Sequence, residues 1–187
     1  MNRLASPAQL RASFIRWSLF VVPTVMLFGF LSGQLAGSTA DTPWFAALAK
    51  PATFPPPAAF GIVWGILYFL MGIALALVCA AWGARSRGLA IAAFVVQFIV
   101  NLAWSPVFFG MHRISWALGI IGALDVLVVI TLVLFLRVRR LAGFLLVPYL
   151  AWILFATFLN WQFLQLNPQA DGADVSGSVQ RIELSSR

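Results

Sequence analysis

Gln97, Asn101 and Trp104 recur at i, i+4 and i+7, so on a helix they form one polar stripe on an otherwise apolar surface. Tyr149, Trp152, Ala156, Asn160 and Phe163 likewise share a face, with the small Ala156 leaving a slot between rings, and Trp64, Tyr68, Met71 and Leu75 repeat the arrangement. Indoles and phenols offer flat apolar faces with a hydrogen-bonding tip, and carboxamides offer both donors and acceptors. Three such faces turned toward one centre would make a pocket for a flat, mostly apolar molecule. Any one stripe alone is equally well explained by helix packing, with its amides hydrogen-bonded to a neighbouring helix. One ionisable group, Asp125, interrupts an apolar run. It is either a proton or cation site or a protonated carboxyl bonded to an adjacent helix; with no intramembrane Lys, Arg or His beside it, the structural reading is preferred. Asp125 and Trp116, nine residues apart, fall on opposite faces of a straight helix and are not expected to share a pocket. His112 is the only histidine and Cys79 the only cysteine, so neither a nucleophile–base pair, a metal-ligand cluster nor an intrachain disulfide is available.

Composition dictates the scaffold that carries these side chains. Hydrophobic residues make up 62% of the 187, charged residues 9%, and the mean hydropathy is +0.96, which only a lipid environment can accommodate. Five apolar stretches, Trp17–Leu35, Phe60–Trp82, Leu89–Phe109, Trp116–Leu136 and Phe144–Leu164, each approach the ~20 residues a helix needs to cross ~30 Å of hydrocarbon. Runs such as Val126–Leu136 lack the alternation of a membrane β-strand. The chain is therefore expected to be an all-α membrane protein: a polar N-terminal segment over residues 1–16, one five-helix bundle over 17–166, and a disordered polar tail over 167–187.

The net charge of +7 does not indicate nucleic-acid binding, because the basic residues sit at span ends rather than on one face. With five spans, Arg3, Arg11, Arg16, Arg85, Arg87, Arg137, Arg139 and Arg140 share one side, against Lys50, Arg113, Arg181 and Arg187 on the other. That bias places the N-terminus inside and the C-terminus outside, in a membrane the sequence leaves open. Arg11 and Arg16 before an apolar run resemble a signal peptide, but the run is long for one and is read as a span. Its Gly29, Gly33 and Gly37 suit close helix packing, within the chain rather than across a dimer. The first loop, residues 38–59, is the long one, and its Lys50, Pro51, Pro55 and Pro56 stiffen it; above aromatic faces it is read as a lid.

Lys50-Pro51 followed by Pro55-Pro56, the Trp64-to-Gly72 run, the Gln97-to-Gly110 run with Asn101, Trp104 and Pro106, then Trp116-Ala117-Leu118, and Pro148-Tyr149 with Trp152 and Asn160, resemble the TspO/MBR family of tryptophan-rich sensory proteins and translocator proteins. The resemblance implies a five-helix bundle, often a homodimer, whose cavity beneath the first loop binds porphyrins, haem-pathway intermediates and isoquinoline ligands. Carried over residue by residue, it assigns the pocket to Phe60, Trp64, Asn101, Trp104, Trp116, Trp152, Ala156 and Leu159, beside the Tyr68, Tyr149 and Asn160 of the stripes. Lys50 and the amides would meet propionates. Thr53 and Ala58 stand where many relatives place an aromatic residue, which weakens stacking from the loop, and Trp161 replaces the tyrosine of the sterol motif. A porphyrin or haem would be a ligand, with no cofactor or metal required. The implied function is a receptor or sensor with a regulatory role in tetrapyrrole or stress response. A carrier of tetrapyrroles or sterol-like lipids is the alternative, and slow tryptophan-dependent porphyrin degradation the second.

Overall fold

The structure, a computed structural model, describes residues 6–37 and 42–172. All of its regular elements are helical: α1 (Pro7–Leu35), α2 (Pro43–Ala47), α3 (Pro57–Cys79), α4 (Arg87–Ser105), α5 (Ile114–Val138), α6 (Arg140–Leu145) and α7 (Val147–Leu166). Among the described residues five helical stretches are long and apolar enough to cross a membrane, formed by α1, α3, α4 with its continuation to Gly110, α5, and α6 with α7. The five-span bundle expected from hydropathy is therefore present.

The helix boundaries depart from the apolar runs where capping chemistry, not hydropathy, decides. Ser6 accepts from the Gln9 amide while the Gln9 side chain accepts from the Ser6 amide, and Pro7 occupies the first helical position. Residues from Pro7 onward, expected only as a polar segment, thus belong to α1; residues 1–5 lie outside the description. Arg140 already starts the last span, and its helix breaks at Leu146, because Pro148 has no N–H with which to continue the ladder. Gly143 allows the preceding turn: a Cβ there would run into the Leu136 side chain.

Pro106 has the largest consequence. It lacks the N–H that would bond the Leu102 carbonyl, and Ser32 Oγ of α1 donates to that carbonyl instead, at 2.6 Å. The chain then winds into a π-turn, Pro106–Gly110, closed by the Met111 amide on the Pro106 carbonyl at 2.9 Å. α3 is the central helix, buried almost continuously from Leu67 to Cys79 except at Phe69, Leu70 and Ile73. α1 packs along it so closely that a Cβ on Gly72 would stand 2.8 Å from Val22 Cα. Gly29 lies against the Tyr68 ring, so part of the glycine stripe of α1 serves packing within the chain.

The polar tail is not free from Asn167 onward. Residues Pro168–Ala170 form a turn of 3₁₀ helix, and Asp171 Oδ1 accepts from the Ser115 amide at 3.1 Å, capping the start of α5. The Gly172 amide donates to the His112 carbonyl at 2.8 Å. Residues 173–187, also expected to be disordered, lie outside the described residues.

Candidate functional site

Three helices bring their stripes together at the end of the bundle that carries the first loop. There a cavity of about 320 Å³ is lined from α3 by Phe60, Trp64 and Tyr68, from α4 by Asn101 and Trp104, and from α7 by Trp152, Ala156, Leu159 and Asn160. Trp64 and Tyr68 stack at 5.1 Å between centroids, and Phe60 meets Trp152 edge to face at 5.7 Å. Rings separated by one helical turn thus form continuous apolar walls.

The floor is a hydrogen-bonded chain. Tyr68 Oη donates to Asn101 Oδ1 at 3.3 Å, Asn101 Nδ2 donates to Tyr149 Oη at 3.1 Å, and Tyr149 Oη donates to Gln97 Oε1 at 3.0 Å. Tyr149 is fully buried and stands behind the cavity rather than in its wall, because its phenol joins the two α4 amides. On the opposite wall Trp104 Nε1 donates to Asn160 Oδ1 and Asn160 Nδ2 to the Ile114 carbonyl, both at 3.0 Å. Most polar groups of the stripes therefore satisfy one another. Trp152 Nε1 is the exception in the wall: it is buried and finds no acceptor among the described residues. A ligand carrying a carbonyl or carboxylate would meet that need.

Trp116, which the resemblance assigned to the pocket, is 66% exposed and stands outside it, with the Arg113 guanidinium 6.0 Å from its ring. Its neighbour Ala117 occupies the inward position at the start of α5. The α5 wall is made instead by Ile121 and Leu124, which the stripes did not reveal. Asp125, expected only not to share a pocket with Trp116, lies outside the cavity as Trp116 does, and accepts from Thr157 Oγ1 at 2.9 Å. The same hydroxyl lies 2.9 Å from the Ile153 carbonyl, and one proton shared between both acceptors makes two weaker bonds. A protonated Asp125 donating to Thr157 Oγ, with Thr157 donating to Ile153, gives each contact its own proton and leaves only Asp125 Oδ1 without a partner.

The loop contributes rings after all. Thr53 and Ala58 are not aromatic, but Phe45 of α2 and Phe54 both line the cavity, 5.8 Å apart, and Phe54 packs at 5.3 Å from Phe60. The residues singled out in the loop act at one remove. Lys50 Nζ donates to the carbonyls of Phe45, Ala46 and Leu48, closing the C-terminal end of α2, so its ammonium holds Phe45 in place rather than facing the cavity. Pro51 is buried, and neither it nor Pro55 or Pro56 reaches the wall. Residues 38–41 of the loop lie outside the described residues. Asn167 fastens the loop to α7, accepting from the Ala49 amide at 2.7 Å and donating to the Ala49 carbonyl at 2.9 Å, and Thr53 Oγ1 donates to Gln162. Trp44 stacks on His112 at 4.5 Å. Next to that stack, burial works to raise the Asp171 carboxyl, but the Ser115 hydroxyl, the Ser115 and Ile114 amides and Arg113 outweigh it and hold it below the usual carboxylate range.

Phe108 and Phe109, carried inward by the π-turn after Pro106, complete the wall, with Trp104 stacked on Phe108 at 5.0 Å. Their signal in the sequence was the proline itself: a helix that loses a rung beneath a cavity re-aims the residues that follow.

A family model described as the TspO/MBR family matches residues 20–166. The chain is 42% identical over 144 residues to the tryptophan-rich protein TspO of Chlorobaculum tepidum, covering 74% of this chain and 90% of that one. It is 38% identical over 126 residues to protein CrtK of Rhodobacter capsulatus, with 67% and 79% covered. To the translocator protein of Homo sapiens it is 38% identical over 120 residues, with 63% and 71% covered.

Proposed function

Since the chain belongs to the TspO/MBR family of multi-pass membrane proteins, we propose that it is a membrane receptor or sensor whose cavity takes flat, largely apolar tetrapyrrole-like ligands. The observation that carries this reading is a cavity walled by stacked indole, phenol and phenyl rings in which one buried donor, Trp152 Nε1, lacks a partner. Rings of this kind bury the faces of a macrocycle, and the free donor suits a propionate or ring carbonyl. At about 320 Å³ the cavity lies at the small end of the ~300–1,000 Å³ usual for ligand sites, so a whole macrocycle requires Phe45 and Phe54 to swing outward with the loop. That motion breaks the Asn167–Ala49 latch and would report occupancy to a partner. The reading extends to an N-terminus inside, from the arginine bias, and to a homodimer whose face lies off Gly29, already taken by Tyr68.

Titration of the purified protein with protoporphyrin should quench tryptophan fluorescence saturably. Replacing Trp64 and Trp152 together by Leu removes both stacking surfaces and the free donor, and should weaken binding by about tenfold or more. Unchanged affinity in a folded double variant would remove this cavity as the binding site.

A further inference from the structure

At the end of the bundle away from the lid, Arg11, Arg16, Arg85, Arg87, Arg137, Arg139 and Arg140 mark the ends of the spans. The two described acids lie elsewhere, Asp125 within a span and Asp171 at the lid end. Two of these arginines are placed very differently. Arg87 lays its guanidinium 4.2 Å from the Trp82 ring and donates to the Cys79 carbonyl at 3.1 and 2.8 Å, closing the end of α3. Arg16 is exposed and has neither a hydrogen-bond nor an ion-pair partner among the described residues. It stands on the rim of an open hollow of about 450 Å³ whose other walls are Ser13, Trp17, Phe20 and Trp82. Trp82 is 66% exposed, yet its Nε1 donates to Ser13 Oγ at 3.3 Å and its face carries Arg87, so the ring is held as a wall.

We propose that this hollow seats an anionic phospholipid, its phosphate on Arg16 and one acyl chain along Phe20, Trp17 and Trp82. Depth supports the assignment. From Trp17 to Leu35 the helix rises 18 steps of ~1.5 Å, about 27 Å, so Trp17 marks the edge of the hydrocarbon and Arg16 the headgroup level. Charge supports it too, because no described acid at this end repels a phosphate. A free inorganic anion would bind the guanidinium but gain nothing from three aromatic walls. The positive-inside bias asks only for arginines at this end, and the exposed Arg85, Arg137, Arg139 and Arg140 are, among the described residues, unpaired like Arg16; what sets Arg16 apart is the fixed indole and the apolar walls beside it.

The test uses the full chain in mild detergent, mixed with dioleoyl phosphatidylglycerol or dioleoyl phosphatidylcholine, with retained lipid counted by native mass spectrometry. The wild type should keep phosphatidylglycerol about fivefold more often than phosphatidylcholine, the effect of about one favourable charge contact. Arg16→Gln should abolish that preference, and Arg16→Lys, which keeps the charge, should preserve most of it. Arg140→Gln removes the same charge from the same end and should leave the preference nearly intact. Trp82→Leu should lower retention of both lipids. Equal retention of the two lipids by the wild type, equal loss in Arg16→Gln and Arg140→Gln, or displacement of the lipid by millimolar inorganic phosphate would each overturn the proposal.

Discussion

At the lid end, side chains from α3, α4, α5 and α7 close on a cavity and pair most of their polar groups, through the Tyr68–Asn101–Tyr149–Gln97 chain and the Trp104–Asn160 pair, leaving Gln97 Nε2 and Trp152 Nε1 buried without a partner among the described residues. At the arginine end Arg87 closes α3 on the Cys79 carbonyl, but the exposed Arg16 and Arg85 have no partner among the described residues. The difference follows from where water is available. A buried amide must find a partner in protein because an unsatisfied one costs about 1–3 kcal/mol, whereas an exposed guanidinium keeps its hydration and loses little by standing alone. Shape at the lid end is consequently specified by directed bonds, while the arginine end is specified mainly by the sign of its charge. Substitutions at the two ends should therefore differ in kind.

The largest effect is expected from Asn101→Leu. Leucine fills a similar volume but leaves the Tyr68 hydroxyl without its acceptor and removes the donor to Tyr149, so thermal unfolding in detergent should show a loss of about 1–3 kcal/mol. Arg85→Gln, at the other end, should change stability by less than about 0.5 kcal/mol. Similar losses for the two would erase the contrast. Ala156→Phe sharpens it within the lid end alone. Ala156 lines the cavity with Phe60 and Trp64, and a phenyl ring there is expected to extend into the cavity. Porphyrin affinity should fall about tenfold while the unfolding midpoint holds or rises. An unaltered dissociation constant in the folded variant would mean the ligand sits elsewhere.

How much of this was legible depended on periodicity. The spans were, because lipid requires nearly every face of a crossing helix to be apolar, and the stripes through Trp64 and Tyr68, Asn101 and Trp104, and Trp152, Ala156 and Asn160 were, because helical spacing puts them on common faces. Phe45 and Phe54 were not, since a loop has no period and only closure in three dimensions shows which rings it lowers into the cavity. Ser32 was invisible for another reason: its partner is a backbone carbonyl on α4 freed by a proline four residues further along. Trp116 shows the converse limit. A motif carried over by resemblance fixes a place in the sequence, but a one-residue rotation at the start of α5 decides whether the indole or Ala117 faces in.

The smallest effect is expected at Asp125, the one carboxyl side chain described within the spans. It resembles the lid end in kind, as a polar group whose partner, Thr157, lies on the neighbouring helix, yet its Oδ1 is buried without a partner. If the carboxyl is protonated and donates to Thr157 Oγ, Asp125→Asn keeps a donor and an acceptor of the same size and removes only the capacity to ionise. Stability and porphyrin affinity should then stay within about 0.5 kcal/mol of the wild type. Asp125→Leu should do worse, because Thr157 loses its partner, although its bond to the Ile153 carbonyl limits the damage. Were Asp125 instead a proton-coupling site, proteoliposomes would accumulate porphyrin in response to a pH gradient, and Asp125→Asn would abolish that uptake while leaving binding intact. The expected result is no gradient-driven uptake in the wild type. Uptake that disappears in Asp125→Asn would replace the receptor by a carrier, and would move the functional centre from the cavity walls to the α5–α7 interface.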